Sequence, residues 1–226
     1  MAQDITCAIK NNEPKAIVAM NHSPWLTDDQ AKGFWASRPI TDSHIPSYSD
    51  SRAAVLVVDI QEDFTGPSAV RRYHDGDRIV AATNRLLEYA RTKALPVVYI
   101  RNVIEHPVMK LLAGGMNARA APGTEIDRGI VRVPGAKTFD KGRSDAFSNS
   151  ELDAFLRSQQ VDHVLIVGLD GKYCVDRTAR GALNRGHKVT LLRDGIATES
   201  STPVSELSDP WRQAGASVTT VGEFAK

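Results

Sequence analysis

The chain has 226 residues, of which 42% are hydrophobic and 24% charged, so its composition is that of a globular protein and excludes disorder as the dominant state. Its 28 Lys and Arg residues nearly balance 27 Asp and Glu residues, for a net charge of +1. This balance removes the electrostatic attraction that usually drives nucleic-acid binding. No stretch approaches the roughly 20 apolar residues that a membrane span needs.

The N-terminal residues and the number of cysteines bear on the cellular compartment of the protein. The first residues lack the basic-then-apolar order of a signal peptide. Two cysteines, Cys7 and Cys174, are too few for a disulfide framework. We therefore expect a cytoplasmic protein that binds neither nucleic acid nor a membrane.

Residues 1–52 differ from the rest of the chain. They are polar, contain several prolines together with Trp25 and Trp35, and show no helical or strand period. Tryptophans are depleted in disordered segments. We predict that these residues form an extended arm that lies on the main domain or on a neighbouring subunit and caps the active-site pocket.

From Ala53 onward, strand and helix patterns alternate. Continuous apolar runs at 53–59 and 96–101 are typical of strands buried on both faces of a parallel sheet. This alternation requires right-handed crossovers, so the sequence predicts one three-layer α/β/α domain over residues 53–226 with a mainly parallel sheet. The other predicted strands are 138–141, 161–168, 187–194 and 216–221, and the predicted helices are 77–93, a helix from Ser150 capped by Ser148 or Ser150, 172–185 and 203–214.

Three polar residues follow predicted strands, and reactive groups collect at the carboxyl ends of parallel strands. Asp59 ends the first apolar run, where a poorly solvated carboxylate needs a cationic or hydrogen-bonding partner. Alternatively, Asp59 only caps the next turn. Another of the three is a lysine in the segment 134–147, either Lys137 or Lys141, and residue type alone does not choose between them. The remaining one is Cys174.

Cys174 follows the strand 161–168 and a glycine-containing turn. This position predicts a cysteine in the first turn of a helix, where unpaired amides lower the pKa of a thiol and can hold an oxyanion. The alternative is an inert cysteine that packs the helix onto the sheet. No histidine stands at a clear strand end, and the motifs G-x-S-x-G, P-loop, HExxH, CxxC and GxGxxG are absent, so we expect no cofactor.

Three motifs in order resemble those of the isochorismatase-like cysteine hydrolases, which include nicotinamidases and N-carbamoylsarcosine, ureidoacrylate and biuret hydrolases. They are DIQEDF (59–64), KGRSDAF (141–147) and GLDGKYCVDRTARGA (168–182), followed by a strand that ends in LLRD (191–194). The resemblance covers residues 53–221. It implies a six-stranded sheet and a homodimer or homotetramer whose neighbouring subunits help to close the pocket.

Carried onto this sequence, the resemblance implies Cys174 as nucleophile, Asp59 as base and Lys141 as the third catalytic residue. Lys141 is preferred to Lys137 because only Lys141 lies six residues before Phe147. The resemblance also implies a cis peptide between Leu169 and Asp170, with the amides of Asp170 and Cys174 as the oxyanion hole. Phe64 and Phe147 are candidate walls of the substrate pocket, and a core role is the alternative for each.

The expected activity is hydrolysis of an amide, ureido or carbamoyl C–N bond in a small polar substrate. The segment YIRNVIEHPVMK contains only His106, where nicotinamidases carry an Asp-x-His pair and a further metal-binding histidine, so we expect no metal. Asp170 and Lys172 depart from the small or hydroxyl residues common in relatives and suggest a polar substrate. The alternatives are a vinyl-ether hydrolase of the isochorismatase type and a non-catalytic interaction protein with the same fold.

Overall fold

A computed structural model describes residues 52–69, 72–105, 117–199 and 203–225 of the chain. These residues contain a six-stranded sheet in which every pair of neighbouring strands is parallel. The spatial order is β3-β2-β1-β4-β5-β6. The strands are β1 (Arg52–Val58), β2 (Val97–Asn102), β3 (Lys137–Lys141), β4 (Val161–Gly168), β5 (Lys188–Ile196) and β6 (Ser217–Thr219).

Helices cover both faces of this sheet. Side chains of β1 alternate between two hydrophobic clusters: Leu56 and Val58 pack on one face, and Val55 and Val57 on the other, as expected for a strand whose successive side chains point in opposite directions. The predicted three-layer α/β/α fold is therefore confirmed. The helices are α1 (Gly76–Thr92), α2 (Ser150–Ser158), α3 (Asp176–Leu183), α4 (Val204–Gln213) and α5 (Val221–Phe224), of which α1 and α5 contribute to the second cluster and α2, α3 and α4 to the first.

The strand order creates a switch point beside β1. From β1 the chain continues outward through β2 to β3, then returns to the other side of β1 to form β4. Open α/β sheets bind ligands in the crevice at such a reversal, beyond the carboxyl ends of the strands. Asp59 follows β1 at this point, and the turn that leads to Cys174 follows β4.

Several local predictions differ from the structure. The predicted helix 172–185 begins as a single π-helical turn, Gly171–Val175, before α3. Asn149, not Ser148 or Ser150, caps α2, because its side chain accepts a hydrogen bond from the amide of Glu151 (3.0 Å). β6 ends at Thr219 because Thr220 caps α5 with a reciprocal side-chain hydrogen bond to Glu223.

Residues 1–51, with Trp25 and Trp35, lie outside the described residues, so the arm stays a prediction. Among the helices of the described ranges, none has the length and apolar character needed to cross a lipid bilayer.

His187, which precedes β5, is expected to make stability depend on pH. Its side chain is fully buried, neither ring nitrogen has a hydrogen-bond partner within the described ranges, and Nε2 lies 3.9 Å from Oδ1 of Asp153. Burial lowers the pKa of His187 to about 4, although the Asp153 carboxylate acts in the opposite direction and Arg157 and Arg185 add to the lowering. In the unfolded chain the pKa of this histidine is about 6.5, so the unfolded chain binds a proton at a higher pH than the folded protein does. The free energy of unfolding therefore decreases as the pH falls from about 6.5 towards 4.

Between pH 7.5 and pH 5, we expect the wild type to lose about 2 kcal/mol more of its free energy of unfolding than His187→Gln. Urea denaturation of both proteins at the two pH values measures this difference. Comparing pH dependences, rather than single values, cancels whatever the substitution costs at neutral pH. Parallel pH dependences in the two proteins would contradict the assignment of this effect to His187.

Candidate active site

The side chains of Asp59, Lys141 and Cys174 meet at the switch point of the sheet. The Nζ atom of Lys141 lies 2.8 Å from Oδ2 of Asp59 and 3.3 Å from the sulfur of Cys174. All three residues are buried, although 82 positions separate the lysine from the aspartate and 33 separate it from the cysteine. The structure also distinguishes the two candidate lysines, because Lys137 lies at the exposed start of β3 and Lys141 at its buried end.

Asp59 is placed by the end of β1. Its amide donates to the carbonyl of Ile100 on β2 (2.9 Å), and its φ of 55° then turns the chain away from the sheet. Positive φ is tolerated better by Asp than by most residues with a side chain. Lys141 occupies one carboxylate oxygen, whereas Oδ1 has no hydrogen-bond partner among the described residues. Burial raises the pKa of Asp59, and the charge of Lys141 acts against that rise.

Lys141 remains a cation inside the protein. Burial alone disfavours the ammonium group, but the charge of Asp59 and the contacts with Asp59 and Cys174 outweigh it and raise the pKa of Lys141. A buried charge is tolerated only when it is paired and hydrogen-bonded. The aspartate and the sulfur provide those partners.

The thiol of Cys174 corrects a sequence-based expectation. Burial raises its pKa to about 12, with Lys141 acting to lower the pKa and Asp59 to raise it. The low pKa predicted for this thiol is therefore wrong, because loss of water around the sulfur outweighs the attraction of nearby positive charge. At neutral pH the sulfur carries a proton, and a base is needed to form the thiolate.

The turn between β4 and Cys174 packs closely against β1. A Cβ atom on Gly168, whose φ is 130°, would collide with the carbonyl of Val58, so only glycine fits there. The peptide bond between Leu169 and Asp170 is cis. The amides of Tyr173 and Val175 donate to the carbonyl of Asp170 at 3.1 and 3.0 Å. The oxyanion-hole role of the Asp170 and Cys174 amides stays a prediction.

The two charged residues of this turn have different surroundings. Asp170 is 7% exposed, and its carboxylate accepts hydrogen bonds from Tyr73, Thr198 and the amides of Lys172 and Glu199. The side chain of Lys172 is exposed. The carboxylate of Asp170 therefore contacts protein donors on several sides.

The two phenylalanines proposed as pocket walls lie in different surroundings. Phe64 is buried and packs edge-to-face on Tyr73, with ring centroids 6.1 Å apart. Phe147 packs against the guanidinium of Arg185 (4.7 Å) and the ring of His187 (6.0 Å), contacts typical of a core side chain. A substrate-binding role for either residue stays a prediction.

Sequence reasoning did not single out Gln61 or Tyr73. Gln61 donates to the carbonyls of Thr124 (2.8 Å) and Asn102 (3.2 Å) and accepts from the amide of Asn102 (2.8 Å), so it fixes the segment after β1 to the end of β2. Its position inside DIQEDF was the available signal. Tyr73 lies in a loop without any periodic pattern, and only the structure places it beside Asp170.

No cluster of three or more His, Cys, Asp or Glu side chains with metal-binding geometry occurs within the described ranges. His106, the histidine of the segment after β2, lies outside them. The second aspartate of DIQEDF, Asp63, accepts a hydrogen bond from the amide of Asn117 (2.8 Å).

A comparison with known families matches residues 53–223 to the isochorismatase domain. The chain belongs to the isochorismatase family. It is 32% identical to a streptothricin hydrolase of Streptomyces noursei over 156 residues, which are 69% of this chain and 58% of that protein. It is 26% identical to the N-carbamoylsarcosine amidase of an Arthrobacter species over 157 residues, 65% of this chain and 60% of the relative. The chain thus spans less than two thirds of these relatives.

Solved structures show the same fold. A cysteine hydrolase from Pseudomonas syringae pv. phaseolicola superposes with a TM-score of 0.67 at 25% identity, covering 77% of this chain and 91% of that one. The pyrazinamidase of Pyrococcus horikoshii, in complex with zinc, gives a TM-score of 0.66 at 26% identity, covering 75% and 99% of the two chains. Members of the isochorismatase family named amidase or nicotinamidase act on amide C–N bonds, and the predicted family membership is confirmed.

Replacement of Lys141 by Met is expected to destabilise the fold strongly, because it leaves the carboxylate of Asp59 buried without its cation. Breaking a buried ion pair in this way costs roughly 3–5 kcal/mol of unfolding free energy. The matched control is Lys137→Met on the same strand, whose exposed side chain predicts a change within about 0.5 kcal/mol. Urea denaturation at pH 7 measures both. Equal stabilities of the two variants would show that the Asp59–Lys141 pair does not hold the site together.

Proposed function

We propose that this protein is a cysteine amidohydrolase that cleaves a non-peptide C–N bond (amide, ureido or carbamoyl) in a small polar substrate. The observation that carries the proposal is the buried contact of one ammonium group, that of Lys141, with both the carboxylate of Asp59 and the sulfur of Cys174. A nucleophile, a base and a charge-stabilising group within reach of one another are the parts that covalent catalysis needs. The relatives named N-carbamoylsarcosine amidase and nicotinamidase support the same reaction class.

In the proposed reaction, Asp59 removes the thiol proton as the sulfur of Cys174 attacks the substrate carbonyl carbon. The amides of Asp170 and Cys174 donate hydrogen bonds to the resulting oxyanion. When the C–N bond breaks, protonated Asp59 gives its proton to the leaving nitrogen, and a thioester remains on the sulfur. Asp59 then takes a proton from water, the hydroxide attacks the thioester, and the acid product leaves as that proton returns to the sulfur.

The pKa directions at the site fit this order of events. Burial raises the pKa of the thiol to about 12, so the thiol needs a base that removes its proton for the attack. Oδ1 of Asp59 accepts no hydrogen bond from the described residues, and the carboxylate is close enough to Cys174 to interact with the thiol, so it can accept the proton. Lys141 stays charged throughout and stabilises the negative charge wherever it resides in the pair.

Cys174→Ala is expected to abolish ammonia release, because the alanine has no nucleophile. Ammonia is measured with a panel of acetamide, nicotinamide, biuret, ureidoacrylate and N-carbamoylsarcosine. The control is Cys7→Ala, which changes the only other cysteine of the chain and is expected to keep wild-type rates. Full turnover by Cys174→Ala would contradict the thioester mechanism, and retained hydrolysis of isochorismate by this variant would instead support vinyl-ether chemistry.

The value of kcat/KM is expected to fall with decreasing pH through an ionisation of Asp59. Protonated Asp59 cannot remove the thiol proton, so activity is present above this pKa and lost below it. Because burial raises the pKa of Asp59, the acid limb should lie above the value of about 3.9 for a free aspartate. The measurement is the pH profile of the panel compound that the wild type hydrolyses fastest, with circular dichroism at each pH to confirm that the protein is folded.

In Asp59→Asn, the remaining activity should be much lower and should lack this acid limb. An unchanged acid limb in Asp59→Asn would assign the ionisation to another group and remove Asp59 from the role of base.

A further inference from the structure

The carboxylate of Asp170 joins three separate segments of the chain beside the nucleophile. Its Oδ1 accepts from the amide of Lys172 (2.7 Å) and the hydroxyl of Thr198 (3.0 Å). Its Oδ2 accepts from the amide of Glu199 (2.8 Å) and the hydroxyl of Tyr73 (3.2 Å). Buried carboxylates that accept several hydrogen bonds gain strong, charge-assisted contacts. This one connects its own turn to the segment after β5 and to the loop before α1.

Backbone hydrogen bonds reinforce the same connection. The amide of Gly171 donates to the carbonyl of Ala197 (2.8 Å), and the amide of Ala197 donates to the carbonyl of Gly168 (3.1 Å). Asp170 also caps the π-helical turn that contains Cys174, through its bond to the amide of Lys172. The turn 168–175 is therefore bound to the segment 197–199 by main-chain and side-chain contacts together.

We propose that Asp170 is a positioning residue, whose carboxylate fixes the turn 168–175. The turn then holds the sulfur of Cys174 against Lys141 and directs the amides proposed to bind the oxyanion towards the substrate carbonyl that the sulfur attacks. This inference rests on the proposed function, which it deepens. It concerns the side chain of Asp170, whereas the oxyanion prediction concerns only the amide. A displacement of about 1 Å in such a constellation can lower a catalytic rate on the order of a hundredfold.

Asp170→Asn is a sharp test because each carboxylate oxygen already accepts from a main-chain amide. The new NH₂ group must face the N–H of either Lys172 or Glu199, whichever way the side chain is turned, and two donors cannot bond to each other. The matched control is Asp176→Asn, the same substitution two residues after Cys174, at a carboxylate that pairs with Arg180. A second variant, Tyr73→Phe with Thr198→Val, removes two donors and leaves Asp170 itself unchanged.

Hydrogen exchange and kinetics together decide the outcome. In Asp170→Asn we expect exchange of the peptide that covers 168–175 to rise about tenfold, and kcat per folded enzyme to fall on the order of 10–100-fold with KM within about threefold. The Tyr73/Thr198 variant should show the same change to a smaller degree, and Asp176→Asn none. Wild-type exchange in both Asp170→Asn and the Tyr73/Thr198 variant, or wild-type kcat despite faster local exchange, would overturn the proposal.

If Asp170→Asn does not fold, the Tyr73/Thr198 variant carries the test by the same two readouts. Failure of the proposed function has a different signature, since the wild type would then release no ammonia from any panel compound while the exchange difference persisted. In that case the exchange comparison still supports the attachment of the turn 168–175 by Asp170. The positioning role in catalysis is then overturned together with the proposed function.

Discussion

The buried ammonium group of Lys141 is the constraint on which this site depends. A carboxylate and a sulfur that takes up negative charge during the proposed reaction lie together in the interior, where like charges repel and neither is well hydrated. Lys141 contacts both, at 2.8 and 3.3 Å, and so lets Asp59 stay ionised in a place that raises its pKa. Without this cation the pKa of Asp59 would rise further, because the charge of Lys141 acts against the effect of burial.

The fold brings these groups together through the order of its strands. β1 lies at the switch point, β4 is its neighbour on one side, and β3 lies beyond β2 on the other. Asp59 and Cys174 therefore approach from adjacent strands, and the long side chain of Lys141 reaches across the end of β2. Successive apolar side chains of β1 point alternately into the two hydrophobic clusters. This packing fixes the carboxyl end of the strand and hence the position of Asp59.

The sequence predicted those features that depend on period and order, and it failed where packing decides. The strand at Val161–Gly168 was predicted at its observed bounds because its short, β-branched apolar run VLIV follows a predicted helix and ends at a glycine. The lysine was resolved only by family resemblance, since Lys137 and Lys141 belong to one short strand. The pKa of Cys174 was predicted in the wrong direction, because desolvation depends on neighbours distant in sequence. The contact of Tyr73 with Asp170 was not predicted, because it joins two loops whose sequences have no periodic pattern.

The high pKa of the thiol also bears on how a turn such as 168–175 contributes to the reaction. A preformed thiolate must be aligned with the substrate carbonyl, whereas a neutral thiol must be aligned with both that carbonyl and its base. The geometry of the turn therefore contributes directly to this alignment. A glycine that alone fits against Val58 and a carboxylate that binds four donors both restrict that geometry, which is the contribution that a protonated nucleophile requires from its surroundings.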